Sequence, residues 1–204
     1  MKFLMDNSLA SLAKNGAYPH WLVGGQLLTP LTRYRRWHDV FAIDNGAFGG
    51  FKEPGFMSLL RREVHARHKC LFVCAPDVVG DHPATSALFA KYAYLAEEGW
   101  PLAFVAQNGC LPGDVPWEKI RCLFVGGKDP WKDGTEVREL VRVARKLGKH
   151  VHIGRVNTAK RFVHFMKMGA HTCDGSGVAR YSKSMLPKIE AEVKLIYKEY
   201  GRGT

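Results

Sequence analysis

The sequence predicts an α/β fold, a compact (β/α)8 TIM-like barrel that occupies residues 1–204 as a single domain. Three observations indicate this fold. Eight short apolar or β-branched runs are spread along the chain, helical periodicity fills most of the gaps, and a polar residue or glycine follows most of the runs. A parallel barrel collects such residues at one rim. With 204 residues against the usual ~250, the loops should be short.

The expected strands are short and evenly distributed. They lie near residues 2–5, 21–23, 40–43, 70–75, 102–106, 122–125, 150–153 and 171–173. Eight strands separated by helices favour a closed parallel barrel over an open doubly wound sheet. The N-terminal third gives the weakest pattern, because its paired glycines, Gly24-Gly25 and Gly49-Gly50, indicate loops.

The clearest helix covers about 134–147, where apolar residues recur on one face. Another is expected near 83–98, with Asp81 as its N-cap. A third should begin after Asn157 as N-cap, and a fourth covers about 184–199. Three of the helices end at a glycine shortly before the next strand: Gly99, Gly148 and Gly169.

The composition is strongly basic. Thirty Lys and Arg against nineteen Asp and Glu give a formal net charge of +11. This balance suits a polyanionic partner such as a nucleic acid, although a solvated basic surface gives the same count. The five cysteines contain no CxxC pair, so we expect buried free thiols rather than a disulfide framework or a four-cysteine zinc site. Without a signal peptide or a long apolar run, the expected location is the cytoplasm, away from membranes.

Asp44 and Asp174 are the candidate catalytic pair. Each directly follows an apolar run, so both should lie at the same rim of the barrel. A carboxylate shielded from bulk water acts as a nucleophile or as a general acid or base, and paired carboxylates cleave glycosidic bonds. The alternative for each is a turn or a helix cap, because Asp often precedes Gly.

Asp77 and Gln107 are candidate ligand-recognition residues. A carboxylate accepts two N–H groups from an amidine edge such as that of guanine, and a Gln amide both donates and accepts. Gln107 follows the apolar residues 104–106, so its amide should enter a dry pocket. The alternative for Asp77 is a helix cap, a role that Asp81 fills better.

Three further features are candidates for contact with a flat ligand. Gly126-Gly127 should leave backbone N–H groups open, although it is also typical of a tight turn. Phe48 and Ile153 could cover the two faces of a base, although ordinary core packing is an alternative for both. His150 and His152 have the HxH spacing of some metal-binding barrels, but no further ligands accompany them, so no metal is expected.

Taken in order, these strand-end residues resemble the motifs of the tRNA-guanine transglycosylase superfamily. They are most similar to its small phage branch, the DpdA-type enzymes that put 7-deazaguanines into DNA. No single motif is specific, but six in the same order make a fairly specific match. The matching segments are Asp44-Asn45-Gly46-Ala47-Phe48, Ala75-Pro76-Asp77, Ala106-Gln107-Asn108-Gly109, Gly126-Gly127, Ile153-Gly154 and Cys173-Asp174-Gly175-Ser176.

The resemblance implies a glycosyltransferase that exchanges bases without ATP or a redox cofactor. Asp174 would attack C1′ of a guanosine and expel guanine, leaving a covalent ester, while Asp44 would serve as acid and base. The base substrate would be a 7-deazaguanine such as 7-cyano-7-deazaguanine (preQ0). It would be held by Asp77, Gln107, the Gly126-Gly127 backbone, Phe48, Ile153 and Gly154.

Departures from the family pattern affect the substrate. The tRNA enzymes hold a structural zinc on three Cys and a later His, but no Cys follows Cys173 and no His follows His171. The resemblance therefore favours DNA over tRNA, in the cytoplasm of a host cell if the protein is phage-encoded. Asn45 and Ala47 replace the family's Ser and Gly. The same exchange on tRNA, a base-excising hydrolase and a non-catalytic nucleobase-binding or nucleic-acid-binding barrel remain alternatives, and homo-oligomers or partner proteins stay open.

Overall fold

The computed structural model describes residues 1–6, 21–31 and 36–200. Its eight strands form a closed parallel barrel in chain order, with β1 hydrogen-bonded to both β2 and β8. This confirms the predicted (β/α)8 architecture. The strands are β1 Lys2–Met5, β2 Val23–Leu28, β3 Phe41–Ile43, β4 Cys70–Cys74, β5 Leu102–Ala106, β6 Cys122–Val125, β7 His150–Ile153 and β8 Thr172–Cys173.

From β3 onwards, α-helices lie between consecutive strands except between β5 and β6, where only 3-10 turns occur. The α-helices are α1 Glu53–Glu63, α2 His82–Tyr92, α3 Tyr94–Glu97, α4 Thr135–Lys146, α5 Ala159–Met168, α6 Gly177–Arg180 and α7 Ser182–Tyr200. Short 3-10 turns complete several connections, namely Ala47–Gly49, Val64–Lys69, Pro112–Asp114, Trp117–Lys119 and Trp131–Asp133. Within the described ranges, none of the helices has the length and apolarity to cross a membrane.

Strand alternation divides the apolar side chains into two cores. On β5, Leu102, Phe104 and Ala106 point outward and pack under the helices, while Ala103 and Val105 point into the barrel. The inner core is filled by Leu4, Leu27, Ala42, Phe72, Cys74, Ala103, Val105, Cys122 and Phe124. These residues fill the barrel interior below the C-terminal ends of the strands, as layers of side chains do in this fold.

The structure corrects three local predictions. β2 covers Val23–Leu28 rather than 21–23, since Gly25 belongs to the strand: a Cβ there would lie 2.7 Å from the carbonyl oxygen of Val40. The helix expected near 83–98 divides at Ala93 into α2 and α3. The N-cap of α5 is Thr158 rather than Asn157, because its side chain accepts the N–H of Arg161.

Other local predictions are confirmed. The Asp81 side chain accepts the N–H of Ala84 at 3.0 Å and caps α2. The three glycines expected to end helices all have positive φ: Gly99, Gly148 and Gly169. All five cysteines are free, and four of them are buried.

Candidate active site

A cavity of about 530 Å³ opens at the C-terminal rim of the barrel. Its wall contains side chains that follow five different strands, the usual construction of a catalytic site in this fold. Among the predicted site residues, the cavity is lined by Asp44, Asp77, Gln107, Asp174, Phe48, Gly126 and Gly154. Seven of the nine predicted site residues therefore line one cavity, whereas Gly127 and Ile153 are not among its lining residues.

Asp174 follows β8 and is held by donors from the β7 side. Its Oδ1 accepts the backbone N–H of Arg155 at 2.9 Å and lies 3.3 Å from Nε2 of His152. Burial by itself would raise the pKa of Asp174, but these hydrogen bonds outweigh it and the pKa lies below its ordinary value. Asp174 is therefore ionised at neutral pH and, with its side chain 22% exposed, open to the cavity.

A chain of polar groups stands behind Asp174. Thr172 Oγ1 lies 2.8 Å from Nδ1 of His152 and 2.7 Å from Nε2 of His150. Burial lowers the pKa of both imidazoles, that of His150 to about 3, so both rings are neutral. We infer that His150 donates to Thr172 and that Thr172 donates to His152. The Nε2–H of His152 then points at Asp174.

Asp44 follows β3, and its pKa is shifted in the opposite direction from that of Asp174. Its Oδ1 accepts the N–H of Gly46 at 2.6 Å. Burial raises the pKa of Asp44 to about 7, and the negative charges of Asp174 and Asp77 contribute to the rise. A carboxyl group with this pKa exchanges a proton readily near neutral pH, as a general acid and base must.

Asp77 is buried in a network of amides. One carboxylate oxygen accepts from Nδ2 of Asn45 at 2.7 Å, and the other accepts from Nε2 of Gln107 at 2.6 Å. Gln107 in turn accepts the N–H of Gly80 at 2.8 Å. Burial raises the pKa of Asp77, although the two amides oppose the rise. The network fixes a polar edge in a dry part of the cavity, with acceptor lone pairs left on each carboxylate oxygen.

The Gly126-Gly127 prediction is wrong in one respect. Both N–H groups donate to the carbonyl of Ala106, at 3.0 and 3.2 Å, so they are not open to a ligand. The glycines instead allow close packing, because a Cβ on Gly126 would lie 2.8 Å from the Gln107 amide nitrogen. Their carbonyl oxygens accept hydrogen bonds from the guanidinium of Arg155, and these bonds orient that side chain across the rim.

The two expected base-covering residues have different positions. Phe48 is 75% exposed at the cavity mouth, with the guanidinium of Arg155 5.1 Å from its ring centroid. Ile153 does not reach the cavity: its side chain is fully buried in the outer core under the helices. Strand alternation explains the correction, because His152 and Gly154 face inward and Ile153 between them must face outward.

The sequence did not indicate three residues that belong to the site or support it: Arg155, Lys132 and Thr172. Lys132 is 2% exposed and donates to the carbonyl of Gly154 at 2.7 Å; burial, with the charge of Arg155, lowers its pKa to about 7. Thr172 pairs with His152 across β7 and β8. The alternation of His150 and His152 could have indicated inward rings, but the register that brings Thr172 beside them is not readable from one sequence.

Comparison with known proteins establishes the fold. No protein-family profile and no curated protein sequence matches this chain. Phosphoribosyl anthranilate isomerase from Thermus thermophilus is similar over 96% of this chain and 100% of that chain, with 15% identity and a TM-score of 0.51. At this identity the similarity shows a shared barrel and no more.

Two other solved barrels are more distant. A ligand-free mutant tryptophan synthase from M. tuberculosis has 11% identity and a TM-score of 0.44, over 93% of this chain and 87% of that chain. YkuI of Bacillus subtilis, an EAL-domain protein in complex with its substrate c-di-GMP and calcium, has 11% identity and a TM-score of 0.42. That match covers 80% of this chain and 47% of YkuI, so this chain spans about half the length of YkuI. The closed eight-stranded barrel and the similarity to the isomerase make this chain a (β/α)8 barrel.

Proposed function

We propose that this chain is a base-exchange transglycosylase that replaces guanine in DNA with a 7-deazaguanine. The observation that carries the proposal is the pair Asp44 and Asp174, which line one cavity with pKa values shifted in opposite directions. A nucleophile must be ionised and a general acid must hold a proton at the same pH, and two environments that separate the pKa values meet both needs.

The first half of the exchange releases guanine. A carboxylate oxygen of Asp174 attacks C1′ of the target nucleotide and forms an ester bond. The bond from C1′ to the base nitrogen breaks, its electron pair stays on the nitrogen, and protonated Asp44 delivers a proton to the departing base. His152 and the backbone N–H of Arg155 keep Asp174 ionised and oriented for this attack.

The second half attaches the new base. Ionised Asp44 removes the proton from the ring nitrogen of the incoming 7-deazaguanine, and that nitrogen attacks C1′. The ester bond breaks, and the carboxylate of Asp174 is restored. A pKa of about 7 for Asp44 suits both transfers, because the same group gives a proton in one half and takes one in the other.

The amide network supports a guanine-like base as the exchanged ligand. The carboxylate of Asp77 can accept the N–H groups of an amidine edge, while Asn45 and Gln107 hold it in place. Exposed Phe48 supplies a ring on which a base can stack. The net charge of +11, and Arg155 and Lys52 in the wall of the cavity, suit a phosphate backbone, from which the target base must be turned out.

The test incubates the protein with duplex DNA, single-stranded DNA and tRNA in parallel, each with 7-cyano-7-deazaguanine. Nucleosides from the digests are read by mass spectrometry. We expect the modified deoxynucleoside in DNA with the wild-type protein and none with Asp174→Asn. Incorporation into tRNA alone would move the same chemistry to tRNA. Release of guanine without incorporation would indicate a hydrolase, and base binding without either reaction would indicate a non-catalytic barrel.

A further inference from the structure

Three metal-binding side chains converge outside the cavity, where the loops after β4 and β5 meet. His82 stands in the first turn of α2, and Cys110 and Asp114 lie in the loop after β5. One donor atom from each side chain lies within 4.8 Å of the other two. Over residues 1–6, 21–31 and 36–200, no other group of three His, Cys, Asp or Glu residues meets this spacing.

We propose that His82, Cys110 and Asp114 bind a zinc ion, with water as the fourth ligand. Bond lengths of about 2.0–2.3 Å to nitrogen, oxygen and sulfur set neighbouring ligand atoms of a tetrahedral site about 3.4 Å apart. His82 Nε2 lies 3.4 Å from Oδ2 of Asp114. The Cys110 sulfur lies within 4.8 Å of both atoms, so shifts of about 1 Å bring all three donors to tetrahedral spacing.

The chemistry of the three donors favours zinc over calcium or magnesium. A thiolate and an imidazole are ligands for zinc and other late transition metals, whereas calcium and magnesium prefer oxygen. As the zinc–sulfur bond forms, the Cys110 thiol gives its proton to solvent. Cys110 is fully buried and the Asp114 side chain is 43% exposed, so the site is shielded on the sulfur side and open to a water ligand on the other.

The loop that carries two of the ligands is already shaped. The N–H of Leu111 donates to Oδ2 of Asp114 at 2.8 Å, which turns the carboxylate back toward Cys110. Nε1 of Trp117 donates to the carbonyl of Pro112 at 2.9 Å and braces the same turn. An outer hydrogen bond on a ligating carboxylate is a common feature of protein metal sites.

The site lies next to the amide network without being part of it. The N–H of Cys110 donates to the carbonyl of Gln107 at 3.0 Å, and Gly80, two residues before His82, donates to the Gln107 side chain. A metal ion would therefore tie together the two loops that hold Gln107. This is a structural role that the exchange reaction does not use, and it differs from the metal-free protein expected from the sequence.

The experiment uses the full chain after treatment with a chelator. Zinc binding is measured by titration calorimetry, and cobalt(II) is added separately to look for the thiolate-to-cobalt absorption band. We expect one zinc per chain, a thiolate band with cobalt, and a higher unfolding temperature with zinc. Asp114→Asn and Cys110→Ser should weaken zinc binding beyond the roughly 10-fold to 100-fold that loss of an outer partner costs.

Cys70→Ser is the matched control, since it removes a thiol outside the cluster and should leave zinc affinity unchanged. Asp114 is exposed, so Asp114→Asn tests the site even if Cys110→Ser fails to fold. The proposal is overturned by the absence of saturable binding of one zinc, by zinc affinity that Asp114→Asn leaves unchanged, or by a cobalt complex without a thiolate band. None of these outcomes depends on transglycosylase activity.

Discussion

The two sides of the rim hold carboxylates in opposite ways. On the side of β3 to β5, Asp44 accepts a backbone N–H and Asp77 accepts two neutral amides, and burial raises the pKa values of both. On the side of β7 and β8, Asp174 receives an imidazole and a backbone N–H, and its pKa is lowered. The comparison shows that the surroundings of each carboxyl group, rather than the residue type, set its pKa: the two amide donors of Asp77 do not outweigh its burial, whereas the donors of Asp174 do.

The largest effect should come from replacing Asp174, the carboxyl group whose pKa is lowered. Asp174→Asn keeps the size and hydrogen bonding of the side chain but removes the proposed nucleophile. We expect base exchange to fall by a factor of at least about 1,000, with base affinity and unfolding temperature nearly unchanged. Intact-protein mass spectrometry should also detect the wild-type chain esterified to the abasic deoxyribose of a DNA strand, and no such adduct on the variant.

Asp39→Asn is the control for that change. Its carboxylate is exposed, lies before β3 at the other end of the barrel and pairs with Lys69. Exchange should continue at the wild-type rate in this variant. Activity retained by Asp174→Asn would show that Asp174 is not the nucleophile.

The second largest effect on activity should come from Asp44, the carboxyl group whose pKa is raised. In the proposed mechanism, guanine release in a single turnover requires protonated Asp44, so its rate should fall as the pH rises through about 7. Asp44→Asn should lower this rate by a factor of about 100 to 10,000, the usual contribution of general acid catalysis, and should abolish the pH dependence. A variant that keeps the wild-type pH profile would assign the proton to another group.

The predictable part of this site is the part whose position follows from the local sequence pattern. Asp44, Asp77, Gln107 and Asp174 could be found because a polar residue after an apolar strand must lie at the rim. The outward position of Ile153 was also available, since strand alternation places it opposite His152.

The remaining contacts depend on placement in three dimensions. The pairing of Asn45 with Asp77 joins residues 32 positions apart, across the ends of neighbouring strands. The N–H groups of Gly126 and Gly127 donate to the carbonyl of Ala106 because of the path of the backbone after β6. Periodicity in one sequence specifies neither the register between strands nor the course of a loop.

A smaller effect should follow from altering the amide network. Asp77→Asn leaves two amide donors of Asn45 and Gln107 facing a third amide, so one hydrogen bond is lost. We expect affinity for 7-cyano-7-deazaguanine to fall at least about 10-fold, measured by calorimetry. An analogue without the exocyclic 2-amino group is the ligand control. The wild type should discriminate against it, and the variant should not. Equal affinity of both proteins for both bases would remove Asp77 from base recognition.

The smallest effect on activity should come from breaking the hydrogen bonds that link His150, Thr172 and His152 behind Asp174. It is also the sharpest test of the β7–β8 side. Thr172→Val removes the hydroxyl that links His150 to His152, while Thr172→Ser keeps it. Without that hydroxyl, His152 is no longer held with its Nε2–H toward Asp174, so the pKa of Asp174 should rise. We expect kcat to fall about 10-fold in the Val variant with KM for DNA unchanged, and the acid limb of the pH profile to move to higher pH. Thr172→Ser should restore both. A loss of activity in Thr172→Val without a shift of the acid limb would mean that the hydroxyl only stabilises packing, because a purely structural defect lowers the rate without changing the proton affinity of Asp174.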